Sequence, residues 1–292
     1  MPTAVVDAIP TRYEIRGAGA PMLMFSPGGF DATLDRWTTI ASYASVRLLD
    51  HLTRRYRCII FDRRETGESG GRVEAVSWAH YVRQGHALLQ HLGIERAHIV
   101  GGCMGCSVAI AFGVAHPEAT SSLLLWWPVG GARYRINSHQ RFAEHIAFVK
   151  QHGLAAVAAL AAGSGKSFGQ DPRGGPWAAV LRRDQGFGSA YARLDVDRYL
   201  EIVAEMARTL VDRDTAPGAE PEELFRVRAP ALIVPGRDAT HATSAARYLE
   251  ECLSGAEYWD VPIVQQTEHT APPRVLEFLD RAEARERTER TV

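Results

Sequence analysis

Short apolar runs recur along this chain, each followed by a stretch of helical periodicity, and that alternation limits the fold more than any other feature. The runs fall at Met22–Ser26, Cys58–Phe61, His98–Val100, Leu123–Trp127, Ala231–Val234 and Tyr258–Val261. Between them, helical spacing is expected at about 37–55, from a Ser77 N-cap to Leu92 with a stop at Gly93, from Gly105 to about Ala115, from Thr243 to Leu253 and from Pro273 to Arg285. Short runs that are apolar on both faces and separated by helices predict a parallel sheet covered on both sides, a doubly wound α/β fold. From Pro128 to Arg228 the rhythm changes to helices without a convincing strand, at about 140–151, 154–162, 177–183 and 196–210. The expected organisation is therefore an α/β core from 1–127 and 229–292, with a helical insertion over 128–228.

Composition narrows the function classes. The 292 residues are 46% hydrophobic and 23% charged, which excludes disorder and fibrous architecture as global descriptions. A net charge of −1 leaves no broad electrostatic footprint for nucleic acid or an anionic membrane. No run approaches the ~18–20 consecutive apolar residues of a membrane span. Residues 1–10 lack a basic segment followed by an apolar core, so no signal peptide is expected. Four cysteines in a chain of this length do not make a disulfide framework. A cytoplasmic location is the expectation, and a homodimer is left open.

The third run leads into Gly101-Gly102-Cys103-Met104-Gly105, which then opens a helix. This is G-x-C-x-G, the nucleophile-elbow pattern G-x-S-x-G with Cys in place of Ser. A nucleophile on so tight a turn needs small neighbours, and the two glycines keep the approach open. The helix that follows points its N-terminus at the site, which favours a thiolate and a developing oxyanion. The backbone N–H of Met104 is one expected oxyanion donor. The same residues also read as Cys103-x-x-Cys106, a dithiol redox pattern, but three strand-like runs precede it where a thioredoxin-like domain has one. Cys58 and Cys252 read as core residues. No second cysteine pair or closely spaced histidine pair suggests a metal, and no cofactor is expected.

At this point the sequence resembles the α/β-hydrolase superfamily. Phe25-Ser26-Pro27-Gly28-Gly29-Phe30 is similar to that family's oxyanion loop, with Ser-Pro where His is usual. Phe61-Asp62-Arg63-Arg64-Glu65-Thr66-Gly67-Glu68-Ser69 is similar to its D-x-R-G-x-G-x-S turn, with Glu65 where Gly is common. Pro230–Asp238 resembles the strand and loop that carry the acid, and 128–228 matches the cap domain in place and size. The resemblance implies a triad in the chain order Cys103, Asp238, His269, with a second oxyanion N–H from Gly29 or Phe30. His241 is the runner-up base, set aside because it follows so closely on the acid.

A Cys nucleophile passes its acyl group through a thioester, so two outcomes stay open. One is hydrolysis of an ester, thioester or lactone; the other is acyl transfer or cyclisation onto an alcohol, amine or thiol. A ligand-binding or lyase use of the fold is a third reading. The partner in each case is a small acyl molecule, entering between insertion and core. Trp126 and Trp127 are expected on opposite faces of their strand, with one of them lining the pocket. Arg133 and Arg135 are candidates for a carboxylate contact.

Overall fold

The computed structural model describes residues 2–291, with side chains described through 288. Eight strands form one sheet: β1 (Thr3–Val6), β2 (Ile9–Arg16), β3 (Ala20–Phe25), β4 (Tyr56–Phe61), β5 (Ala97–Gly102), β6 (Thr120–Trp126), β7 (Ala231–Val234) and β8 (Glu257–Tyr258). Their spatial order is β1-β2-β4-β3-β5-β6-β7-β8. From β4 to β8 every pairing is parallel, while β1 and β2 are antiparallel additions at one edge. The α/β architecture is thus as expected, apart from this edge hairpin. Strand β2 (IPTRYEIR) alternates exposed and buried positions and carries Pro10, unlike the continuous apolar runs of the interior. Its turn from β1 uses Asp7 and Ala8, both at positive φ (49° and 56°), as a tight two-residue hairpin requires.

Among the described residues, twelve α-helices accompany the sheet: α1 (Arg36–Thr39), α2 (Ala41–Ala44), α3 (Leu48–Leu52), α4 (Trp78–His91), α5 (Met104–Ala115), α6 (Ala132–Gly163), α7 (Ala178–Arg183), α8 (Gln185–Tyr191), α9 (Val196–Leu210), α10 (Pro221–Leu224), α11 (Thr243–Cys252) and α12 (Ala271–Thr291). The single helix expected over 37–55 is three short ones. Ile40 is extended (ψ 120°) and Arg47 sits at φ 50°, so the apolar spacing continues while the backbone breaks twice. Ser77 does cap α4, in a box where the His80 ring accepts from the Ser77 N–H.

Residues 127–230, between β6 and β7, hold α6–α10 and no strand. Helix α6 is interrupted at Gly153 (φ 74°) and packs on α7 and α9. It includes an 18-residue window of mean hydropathy 1.4, apolar enough to cross a membrane by length and composition, although no continuous apolar run marks it in the sequence. His145 of α6 is fully buried and held by the Tyr199 hydroxyl (2.7 Å) and the Arg173 carbonyl (3.2 Å). Burial pushes its pKa down to about 4, so it is a neutral core histidine.

The order of strands reverses at β3, with β4 laid on one side of it and β5 on the other. In doubly wound sheets ligands bind beyond the strand C-termini at such a switch point. Here that point is bounded by the loop after β3 and the turn after β5.

Candidate active site

Cys103 joins β5 to α5 in a conformation (φ 54°, ψ −124°) that non-glycine residues avoid. The glycines around it are required by contact. A Cβ on Gly101 would come within 2.4 Å of the Gly105 carbonyl oxygen, and one on Gly105 within 2.2 Å of the Phe25 carbonyl oxygen. Strand β3 and helix α5 are thereby pressed together, and Cys103 stands out at the switch point.

The imidazole next to this thiol is that of His241. Its Nδ1 lies 2.9 and 3.0 Å from the two Asp238 carboxylate oxygens. Its Nε2 is buried without a nitrogen or oxygen partner and lies against Cys103. The ring is the strongest influence favouring the charged thiol, and the thiol the strongest favouring the charged ring. Burial disfavours the charged form of both groups. For His241 the Cys103 and Asp238 contacts outweigh burial and raise its pKa to about 9. For Cys103 the His241 contact and the backbone N–H groups of Gly28 and Met104 outweigh burial and lower it. Asp238 is also lowered: desolvation is overcome by the His241 ring and by the N–H groups of Thr240 and His241 (2.8 and 2.9 Å). The arrangement favours a thiolate–imidazolium pair.

His269, by contrast, is exposed in the turn before α12 and bonds to neither Cys103 nor Asp238 among the described residues. This corrects the expected base. The loop after β7 folds back across the loop after β6, with the Gly130 N–H bonding the Thr240 carbonyl (3.1 Å) and a parallel bridge between Gly130 and His241. That fold-back carries a residue only three places beyond the acid from β7 toward β5. Gly236 permits it, since a Cβ there would meet the His241 Cβ at 2.4 Å. After β8 the buried polar position is taken by Gln266 instead. Its amide accepts from the Trp127 indole (2.6 Å) and donates to the Pro235 carbonyl (2.9 Å).

Trp126 and Trp127 are not among the residues that line the cavity at Cys103. Trp127 takes φ 56°, which breaks the strand alternation, and both indoles enter the same core cluster on one side of the sheet. The Trp127 ring packs 5.7 Å from His241 and 5.9 Å from Tyr43, so it supports the imidazole.

A cavity of about 200 Å³ opens at Cys103, bounded by Gly28, Gly29, Phe30 and Met104 from the core and by Tyr134, Ser138, Arg141, Phe142 and Phe168 from the insertion. Phe30, Phe142 and Phe168 form one wall, with ring centroids 5.1–5.7 Å apart. Of the expected oxyanion residues, Met104 favours the Cys103 thiolate through its backbone N–H, as does Gly28, while the expected Gly29 and Phe30 line the cavity. Arg63 braces this loop: its guanidinium bonds the Gly29 carbonyl and lies 4.2 Å over the Tyr81 ring. Arg64 beside it is fully buried between Glu65 and Glu74, and Glu65, at φ 65° and buried, has its pKa raised to about 7.

Cys106, the second half of the dithiol pattern, bonds the Gly101 and Trp126 carbonyls (3.1 and 3.3 Å), and burial holds its thiol protonated. One histidine pair does approach a carboxylate, His86 and His116 near Glu118. The two rings are stacked 3.7 Å apart and nearly parallel, which keeps their in-plane lone pairs from converging on one ion. Gln266, Gly28, Arg63 and the α6 residues were not singled out from sequence. Gly28 and Arg63 lay inside the two motif loops, and on α6 the signal was helical spacing, at Tyr134, Ser138, Phe142, His145 and Val149.

Residues 21–149 match the α/β hydrolase fold family. The chain is 33% identical over 127 residues to the dihydrolipoyllysine-residue acetyltransferase component of the acetoin cleaving system of Cupriavidus necator, covering 44% of this chain and 32% of that protein. It is 29% identical over 113 residues to the putative carbamate hydrolase RutD of Azorhizobium caulinodans, covering 39% of each. It thus spans about a third of the length of these curated relatives. Among solved structures it resembles the enol-lactonase from Burkholderia xenovorans, with a TM-score of 0.61, 20% identity and coverage of 96% of this chain and 100% of that one. The chain carries the α/β hydrolase fold, and its residues 21–149 match the model of that family.

Proposed function

We propose that this protein hydrolyses a small ester, thioester or lactone through an acyl-thioester on Cys103, with His241 as the proton carrier, Asp238 as its orienting acid and the helical insertion as a cap. The observation that carries the reading is the thiol on a strained elbow, faced by two backbone N–H groups and by a histidine bound to a carboxylate. The thiolate attacks the substrate carbonyl, and the oxyanion is held by the Gly28 and Met104 N–H groups. Collapse expels the leaving group, which takes the Nε2 proton of His241. A water then attacks the thioester, giving its proton to His241, and the acid departs as the thiolate re-forms.

Incubation with a short-chain p-nitrophenyl ester, followed by peptide mass spectrometry, tests this. Acylation of Cys103 with continuing p-nitrophenol release is expected, and both should vanish in Cys103→Ala. An unmodified Cys103, with equal release from wild type and variant, would refute the covalent reading. The similarity to an acetyltransferase component supports a second reading, transfer to an acceptor. Its signature would be a single burst that resumes only when a thiol, alcohol or amine is added.

A further inference from the structure

The cavity at Cys103 holds one basic side chain, Arg141, and no carboxylate among the residues that line it. Tyr134, Ser138, Arg141 and Phe142 lie at i, i+4, i+7 and i+8 on α6, one face of a helix, and that face is turned to the cavity and core. An arginine in such a stripe stands where an apolar residue would normally pack. The two arginines suggested by sequence, Arg133 and Arg135, fall off the stripe and are exposed. Many arginines of the chain are ion-paired, including Arg36, Arg64, Arg173, Arg213 and Arg247. Arg141 forms no ion pair among the described residues, and its charge acts on Tyr134, a buried phenol whose pKa is raised chiefly by burial and by Cys103.

A half-buried guanidinium without a carboxylate partner, at the edge of a cavity walled by phenylalanine rings, favours an anion that can replace water. Its planar fork matches a carboxylate, with two parallel N–H···O bonds. The cavity volume is roughly that of six or seven waters at about 30 Å³ each, so it suits a short acyl group. We propose that Arg141 anchors a carboxylate at the far end of the acyl chain. The favoured substrates are then half-esters or half-thioesters of small dicarboxylic acids. This rests on the acyl-enzyme reading for its chemistry, but the anion site can be measured without turnover.

Two experiments on the intact chain separate the two readings. The first compares kcat/KM for the S-glutaryl and S-pentanoyl thioesters of N-acetylcysteamine, in wild type and in Arg141→Gln. Wild type should prefer the glutaryl substrate, and the preference should fall at least tenfold in the variant, chiefly through KM, with partial recovery in Arg141→Lys. A preference that is the same in wild type and variant would overturn the carboxylate anchor. Failure of both thioesters to acylate Cys103 would count against the acyl-enzyme reading instead.

The second measures protection of Cys103 from iodoacetamide by glutarate, which needs no turnover. Protection in wild type that is lost in Arg141→Gln, with unchanged circular dichroism, is the expected result. Equal protection or none in both proteins would overturn the proposal. Protection by inorganic phosphate and not by glutarate would also overturn it, assigning the cation to a phosphorylated leaving group.

Discussion

Two histidines compete on paper for one role, and at the scale of single residues they give the sharpest test. His241→Gln should lower kcat/KM at least about 100-fold, as loss of a general acid–base does. It should also raise the pH at which Cys103 is alkylated, because burial then acts on the thiol without the imidazolium. His269→Gln should change neither quantity, and a large loss there would reverse the assignment. The pH profile follows from the same pair. Cys103 titrates below the ordinary thiol range and His241 at about 9. As pH falls through the Cys103 value the thiolate is protonated, and turnover and alkylation decline together. As pH rises through about 9, His241 loses the proton it gives to the leaving group. Turnover should then fall while alkylation continues, and a shared alkaline limb would contradict these roles. Trp127→Phe leaves the Gln266 carbonyl oxygen without its buried donor, at a cost of about 1–3 kcal/mol in denaturant unfolding. A smaller change in unfolding free energy would mean that this contact is replaced by water.

Helices, strands and the loops between them show where sequence reasoning reached and where it stopped. Five interior runs were legible because parallel strands covered on both faces are apolar throughout, whereas the sixth, 258–261, meets the half-buried edge strand β8 only at Tyr258. The elbow was legible because its glycines are dictated by contacts under 2.5 Å. The β1–β2 hairpin was not, since an edge pair needs only one apolar face and β2 mixes Arg, Glu and Thr into it. The 37–55 segment kept helical spacing through two backbone breaks, because periodicity reports which side chains are buried and not whether the helix is continuous. The fold-back after β7 has its own test. Gly236→Ala drives a methyl into His241 and should cost about 1–3 kcal/mol while moving the ring off the thiol. The expected outcome is a lower kcat and a higher alkylation pH; unchanged values would show that the loop can adjust.

For the molecule as a whole, the insertion is tied to the core by a few long-range polar contacts. Arg183 bonds the Gly67 carbonyl (2.6 Å) and the Ser69 carbonyl, and the Trp177 indole bonds the Arg72 carbonyl (2.8 Å). These land on the loop after β4, whose Arg63 braces the Gly29 peptide at the cavity. Arg183→Met should therefore speed amide hydrogen exchange in α7 and α8 while leaving β3–β6 protected, because sub-global opening follows the weakest interface. Uniform exchange across both parts would mean that they open as one unit.

Sequence by itself determined the parallel sheet, the helical insertion between β6 and β7, and the strained turn that presents Cys103. Each of these is written in local terms, as apolar period, glycine placement or capping, and the chain has few other ways to satisfy them. Only the tertiary structure decided which histidine meets the thiol, which loop N–H faces it, where the two tryptophans go and which arginine enters the cavity. Those outcomes depend on how two loops cross above the sheet and on which face of α6 turns inward. Both are settled by contacts between residues about a hundred positions apart, such as Gly130 with His241, that leave no periodic mark along the chain.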